Sequence, residues 1–282
     1  MKVFICANFS KGKSVATVKA VCDKLIEIGF TPMLDKAFRE DFAENGVTFD
    51  SPEILLDTCD MIITVGGDGT IIKWGRYAAK YKKPLLGINT GRLGFMTTLE
   101  CDDIEKLRML KTGNYKISNR MLLEVSHSNS DDTYVAVNDV VFTKNRYAKL
   151  PEFSISVDGY EVSRIRADGI IFSTPTGSTA YSLSAGGPII TPDAQCIEFT
   201  PLCPHSLFGR PMIFSSDSEI LVSFKGYENS GVIFNVDGDD DLVFEENDCI
   251  KIKKSSLALN LVHIDGGGFY NAVHNKLMAP LK

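Results

Sequence analysis

Along the first third of the chain, short apolar runs alternate with stretches where apolar residues return every three or four positions. "KVFICA" (2–7) reads as a strand, and Val18, Val21, Cys22, Leu25 and Ile28 recur at helical spacing after Ser14, which is placed to cap that helix; Gly29 stops it. "TPML" is a short strand, Asp50, Ser51 and Pro52 open a brief helix, "MIITV" is the next strand, and a helix follows over 69–82. "PLLGI" (84–88) is another strand, and Asp102 caps a last helix that closes near Gly113. Strands alternating with helices in this way predict a parallel sheet wrapped by helices. From about Lys116 the period changes to two. "LLEVSHS", "TYVAVNDVVFTK", "FSISVDGYEVSRI", "EILVSFK", "GVIFNVDG" and "CIKIKK" read as strands with close turns, and Asp158-Gly159 marks a hairpin. The expected division is an α/β domain over 1–115, an all-β, sandwich-like domain over 116–268, and a C-terminal segment, 269–282, without strand pattern that packs back on the first domain.

Ligands on parallel sheets sit at the carboxyl ends of strands. Two glycine-bearing turns hold that position, "GGDG" (66–69) and "NTGRLGF" (89–95). Gly66 and Gly67 allow close approach of backbone to a di- or triphosphate, Gly69 frees the helix start, and Thr70 offers a hydroxyl in the first turn. Asp68 is the anomaly, since a carboxylate repels the ligand that such a turn attracts. Three tasks stay open for it: capping the helix, holding a magnesium ion that arrives on a nucleotide, or accepting a proton from an attacking hydroxyl. "ANFSKGKS" (7–14) imitates a P-loop through Gly12, Lys13 and Ser14, but Ala7 stands in the first glycine position and Phe9 is bulky, so a plain strand-to-helix turn is the expectation.

Composition narrows the partners. The 282 residues are 44% hydrophobic, enough to bury a sizeable core, and carry a formal net charge of -6 with lysines and arginines scattered. No concentrated basic face is available for nucleic acid or an anionic membrane. No apolar run approaches the roughly 20 residues of a membrane span, and a cytoplasmic location is expected. Seven cysteines, most in apolar runs and without a C-x-x-C pair, are expected to be buried reduced thiols, and four scattered histidines give no metal cage.

The densest chemistry lies in "RIRADGIIFSTPTGSTAYSLSAGGPII" (164–190), where "STPTGSTAYSLSAGG" places eight hydroxyl side chains among fifteen residues. Arg166 and Asp168 just ahead suit a phosphate and a sugar diol. In "VNDVV" (137–141), Asn138 can read a base edge and Asp139 can accept from ribose hydroxyls, or the pair forms a bulge or turn.

Together these residues resemble the ATP-dependent NAD kinases. The carried motifs are "GGDGT" (66–70), "NTGRLGF" (89–95), "ND" (138–139), "DGIIFSTPTGSTAYSLSAGGPI" (168–189) and "CPHSLFGRP" (203–211), in family order. The resemblance implies a Rossmann-like α/β domain plus a β domain with the site between them, and homo-oligomeric assembly. It implies that Asp68 accepts the proton of the adenosine ribose 2′-hydroxyl of NAD, and that Gly66, Gly67, Gly69 and Thr70, with magnesium, hold ATP. It also implies a dinucleotide bound by Asp68, Gly69, Asn138, Asp139, Arg166, Asp168, Thr179, Ala180, Tyr181, Ser182 and Ser184, with Lys149 nearby and Phe95 against a base. Relatives often carry a glutamine after "VDG" (236–238), where this chain has Asp239; the acid run "DGDDD" reads as a solvated turn. Rival readings are a P-loop NTPase, a lipid or sugar kinase sharing the glycine loop, and a non-catalytic dinucleotide sensor.

Overall fold

The computed structural model describes residues 1–9, 13–42, 46–91, 94–128, 131–145, 149–206, 209–226, 231–239, 241–246, 248–264 and 269–278. The chain divides into two compact units, Met1–Asn119 with Leu259–Lys282, and Arg120–Ala258. No helix among the described residues is long and apolar enough to cross a membrane.

In the first unit, strands β1 (Lys2–Ala7), β2 (Thr31–Asp35), β3 (Thr48–Asp50), β4 (Met61–Gly66) and β5 (Leu85–Asn89) pair in parallel in the order β3-β2-β1-β4-β5. Helices α1 (Ser14–Glu27), α2 (Pro52–Thr58) and α3 (Asp68–Lys80) make the crossovers. Strands covered on both faces have no polar side, and β4 and β5 are accordingly buried at every position. Val18, Val21, Cys22 and Leu25 of α1 pack with Val3, Ile5 and Ile63 in one core. The strand order reverses between β1 and β4, so the segments leaving those two strands diverge and open a crevice at their carboxyl ends.

Local expectations differ from the structure in four places. Thr48–Asp50 is a strand, too short to show a period, and Ser51 rather than Asp50 precedes the helix with Pro52 in its first turn. Lys13 is already helical, so Ser14 lies buried inside the first turn of α1 and caps nothing. Asp102 likewise sits within the first turn of a 3-10 helix, Cys101–Leu107, which continues as the α-helix Arg108–Thr112 and ends at Gly113 with φ 69°. The cysteines are all free, but only Cys6, Cys22 and Cys59 are buried; Cys203 is exposed.

The second unit is two antiparallel sheets. One runs Tyr160–Arg166, Glu152–Val157, Ile220–Lys225, then the parts of Ile250–His263 and Lys116–His127 that belong to this unit, and Thr133–Ala136. The other runs Met212–Ser215, Cys196–Leu202, Gly169–Ser173, Asp139–Lys144, Val232–Val236 and Leu242–Phe244. Their apolar faces share one core that includes Phe142, Phe153, Phe172, Phe234, Phe244 and Ile252, the arrangement of a sandwich. Asp158 and Gly159, with φ of 51° and 85°, form the tight turn that the dipeptide predicts.

Phe142 is fully buried, with the rings of Phe172, Phe234 and Phe244 centred 6.3, 5.7 and 5.5 Å away. Phe142→Ala should therefore cost about 3–5 kcal/mol, read as a lower urea midpoint; a cost below about 1 kcal/mol would show that the cluster collapses onto the vacancy.

Candidate functional site

The glycine turn is built around close approach. β4 ends at Gly66, Gly67 is the extended residue before α3, and Asp68 opens the helix, one residue earlier than the sequence suggests. A Cβ on Gly66 would lie 2.2 Å from Thr70 Oγ1, so only glycine lets the threonine hydroxyl fold back over the strand end. Asp68 turns toward the second loop. Its Oδ2 accepts from the Phe95 amide at 2.7 Å and its Oδ1 from the Met96 amide at 3.1 Å. A Cβ on Gly94 would come within 2.1 Å of Oδ1, which explains the glycine ahead of those amides. The same loop is ordered at its start by buried Asn89, which donates to Gly91 O and to both Glu100 oxygens and accepts from Gly91 N. Arg92 and Leu93 of "NTGRLGF" lie outside the described residues. Phe95 is half-buried, with the Lys276 ammonium 4.1 Å above its ring and the Phe269 ring 6.5 Å away.

A cavity of about 360 Å³ opens where the strand order reverses, lined by Ala7, Asn8, Phe9, Phe38, Gly69, Thr70, Lys73 and Trp74. Lys73 is exposed and makes no ion pair among the described residues. Asn8, Phe9, Phe38, Lys73 and Trp74 escape a reading of the sequence, because their meeting depends on β1 and β4 being neighbours. Of the P-loop imitation, residues 10–12 lie outside the described residues. For a divalent cation, Asp68 and Thr70 offer oxygen donors alone, and Thr90 Oγ1, just past β5, is buried with no partner among the described residues. Such hard donors fit magnesium. No three His, Cys, Asp or Glu side chains gather among the described residues, so the ion would keep mostly phosphate and water oxygens.

In the second unit, Asn138 and Asp139 are held by a residue of the acid run, which by sequence alone reads as solvated. Asp237, with φ 57°, accepts from the amides of Val137 (2.8 Å), Asn138 (2.7 Å) and Asp139 (3.1 Å). The acid run is thus not simply a solvated turn; its first member pins the "ND" bend. "TPTG" closes over the same bend: the Thr174 hydroxyl donates to Val137 O, its amide to Asn138 O, and a Cβ on Gly177 would strike Asn138 O at 2.2 Å. Asn138 Oδ1 and Thr176 Oγ1 are buried there with no partners among the described residues. Ser182 is fully buried, its hydroxyl bonded to Glu198 and Thr200, whereas Tyr181 and Ser184 are exposed and Thr179 and Ala180 partly so.

Asp168 and exposed Arg166 stand at the other end of strand Gly169–Ser173, with Asp168 six residues or roughly 20 Å of extended strand from Thr174. Asp168 pairs with Lys144 at 2.6 Å, a partner that no local pattern announces. Lys149 is exposed in irregular backbone. The structure therefore gathers Gly66, Gly67, Asp68, Gly69, Thr70 and Phe95 in one unit and Asn138, Asp139 and the 174–184 turn in the other, with Arg166 and Asp168 apart from the latter.

Family models agree with this geometry over most of the chain: residues 3–111 match the ATP-NAD kinase N-terminal domain and 137–264 the ATP-NAD kinase C-terminal domain. An NAD kinase of Caldanaerobacter subterraneus subsp. tengcongensis is 34% identical over 282 residues, 98% of each chain. The crystal structure of an NAD kinase from Archaeoglobus fulgidus in complex with ATP superposes with a TM-score of 0.72 at 29% identity, covering 96% of both chains. The fold is also that of yeast NADH kinase complexed with NADH, with a TM-score of 0.85 at 24% identity over 99% of this chain and 87% of that one. The chain belongs to the NAD kinase family.

Burial first, then the negative charges of Asp237 and Glu198, pushes the Asp139 carboxyl up to about 7, against about 3.9 for an unfolded aspartate. Between these values the folded protein holds a proton that the unfolded chain has lost, so stability falls as pH rises from about 4 to about 7, by about 1.4 kcal/mol per unit, and levels off above. Asp139→Asn removes this titration. Its urea midpoint should fall less than that of the parent over the same pH range; parallel curves would mean that Asp139 ionises normally in the fold.

Proposed function

We propose that this chain transfers the γ-phosphoryl group of ATP to the 2′-hydroxyl of the adenosine ribose of NAD, giving NADP, with Asp68 as the general base. The observation that supports this most is the Asp68 carboxylate held at a glycine turn by the amides of Phe95 and Met96. Each oxygen has a further lone pair beyond the one its amide occupies. The carboxylate is bonded to the 94–96 loop and not to the amides of its own turn, and so one short segment serves both an anion and a hydroxyl.

ATP occupies the cavity at the strand reversal, its triphosphate along the amides of 67–69, the Thr70 hydroxyl and the Lys73 ammonium, its base among Phe9, Phe38 and Trp74. Asp68 and Thr70 would hold a magnesium ion arriving with ATP, and that ion would supply charge neutralisation at the phosphates. Phe95 takes a base of the dinucleotide in the first unit. In the second, Asn138, Asp139, Lys149, Arg166, Asp168, Thr179, Ala180, Tyr181 and Ser184 bind it, and Ser182 sets the turn from which its neighbours project. As the 2′-oxygen bonds to the γ-phosphorus, its proton passes to Asp68 and the bond to the β,γ-bridging oxygen breaks, releasing ADP. Positioning supplies most of the acceleration, because phosphoryl transfer leaves little covalent work to the protein. The chain works as a homo-oligomer, to which exposed Ile213 and Val243 on the outermost strands of one sheet lend support, and its free thiols suit the cytoplasm.

Incubation with Mg-ATP and NAD, with NADP detected by an NADP-specific dehydrogenase, tests the activity; no NADP would refute it. Asp68→Asn should lower kcat by about 10²–10⁴-fold, and near-normal turnover in that assay would dispose of the base. Lys73→Ala should raise KM for ATP about tenfold or more, the loss of one charge-assisted contact, while KM for NAD stays put. An unchanged KM for ATP would move the triphosphate elsewhere.

A further inference from the structure

We infer that Glu198 is a positioning residue for dinucleotide binding, fixing the short helix Tyr181–Ser184 from beneath through Ser182. This rests on the assignment of Thr179–Ser184 to the dinucleotide. Glu198 lies in strand Cys196–Leu202 and is fully buried. One carboxyl oxygen, Oε1, accepts from the Ser182 hydroxyl at 2.5 Å and from the Thr200 hydroxyl at 2.9 Å, and those two hydroxyls are 2.8 Å apart. The other, Oε2, is buried with no partner among the described residues.

A carboxyl in such a place is costly, since desolvation of an ionisable group is repaid only by complete hydrogen bonding, and an apolar side chain of similar size is commonly at least as stable. Burial indeed raises the Glu198 carboxyl above the usual range, against the opposing pull of the two hydroxyls. What the carboxyl provides is placement. A helix of four residues has too few internal bonds to offset its nucleation cost, so its position must be imposed from outside. Glu198 imposes it at two points. It holds Ser182 directly, and the chain leaving the helix passes so closely over it that a Cβ on Gly187 would lie 2.0 Å from Oε1 and 2.4 Å from Ser182 Oγ. With Ser182 drawn inward, Tyr181 and Ser184 are left facing out, Tyr181 at 48% exposure.

The strand register ties this anchor to the rest of the dinucleotide surface. Ser173 pairs opposite Glu198 on one side and opposite Asp139 on the other, so the three side chains share one face of the sheet. Glu198 is thus continuous with the bend that presents Asn138, yet lies a layer below any ligand.

Steady-state kinetics against each substrate test the role. Glu198→Ala should raise KM for NAD about tenfold or more, equivalent to roughly 1.4 kcal/mol of lost binding, with KM for ATP and kcat at saturating NAD within about threefold. Glu198→Gln keeps a carbonyl oxygen for Ser182 and Thr200 and should bring KM for NAD back to within about threefold of the parent. The inference is overturned if Glu198→Ala leaves KM for NAD unchanged, if it shifts both KM values alike, or if Glu198→Gln rescues nothing. Should Glu198→Ala fail to fold, Thr200→Val removes one of the two hydroxyls with the shape kept, and must give a smaller NAD-specific rise or the inference falls. A parent protein that makes no NADP would remove the dinucleotide assignment itself, whereas turnover with a flat KM for NAD in Glu198→Ala removes only the role of Glu198.

Discussion

Backbone amides determine where this protein can keep its acids. Asp68 accepts from two consecutive amides and Asp237 from three, and in both cases the donors belong to a loop far away in sequence. A carboxylate bonded in this way is stabilised by fixed dipoles and needs no lysine or arginine beside it. That matters for a protein handling polyphosphates. A cation spent on balancing Asp68 would be lost to the nucleotide, whereas amide donors leave Lys73 without an ion pair among the described residues. The same bonds fix the loops themselves, so that the 94–96 segment and the "ND" bend are held by the acids they surround.

The glycines follow from that constraint. Gly66, Gly94, Gly177 and Gly187 each stand where a Cβ would penetrate a functional oxygen or a site backbone: Thr70 Oγ1, Asp68 Oδ1, Asn138 O and Glu198 Oε1. None of these four has a positive φ, so their glycine is demanded by proximity rather than by conformational freedom. Motifs that look like flexible punctuation are close-packed joints.

This explains what could be read without coordinates. The parallel sheet, the β sandwich, the glycine turn after β4 and the Asp158-Gly159 hairpin are signalled by local period and local turn chemistry, and the chain carries those signals plainly. Asp68 stood out because a carboxylate contradicts its own surroundings. Its partners did not, because Phe95 lies 27 residues away and nothing local links them. Asp237 is hidden from the sequence for the same reason: a DG turn among acids reads as solvated until strand register places Val137, Asn138 and Asp139 against it. The cavity lining of Asn8, Phe9, Lys73 and Trp74 likewise depends on strand order. Ser14 and Asp102 show the opposite failure, where capping residues sit one step inside a helix because their neighbours are already helical.

Stability was not the organising demand in the second unit. Asp139, Ser173 and Glu198 occupy one row on three adjacent strands, and Asn138, Thr176 and Glu198 each leave an oxygen buried with no partner among the described residues. Each orphaned group costs about 1–3 kcal/mol relative to a bonded one, and the large apolar core on the sandwich interior is what makes that tolerable. A fold optimised for its own sake would have filled this row with apolar side chains, as it did on the opposite face of the same strands at Phe172, Ile197 and Phe199. A polar row instead suits a protein whose side chains must be positioned rather than merely packed: Glu198 holds Ser182 from below, and Asn138 and Thr176 keep hydrogen-bonding capacity that apolar packing would not retain.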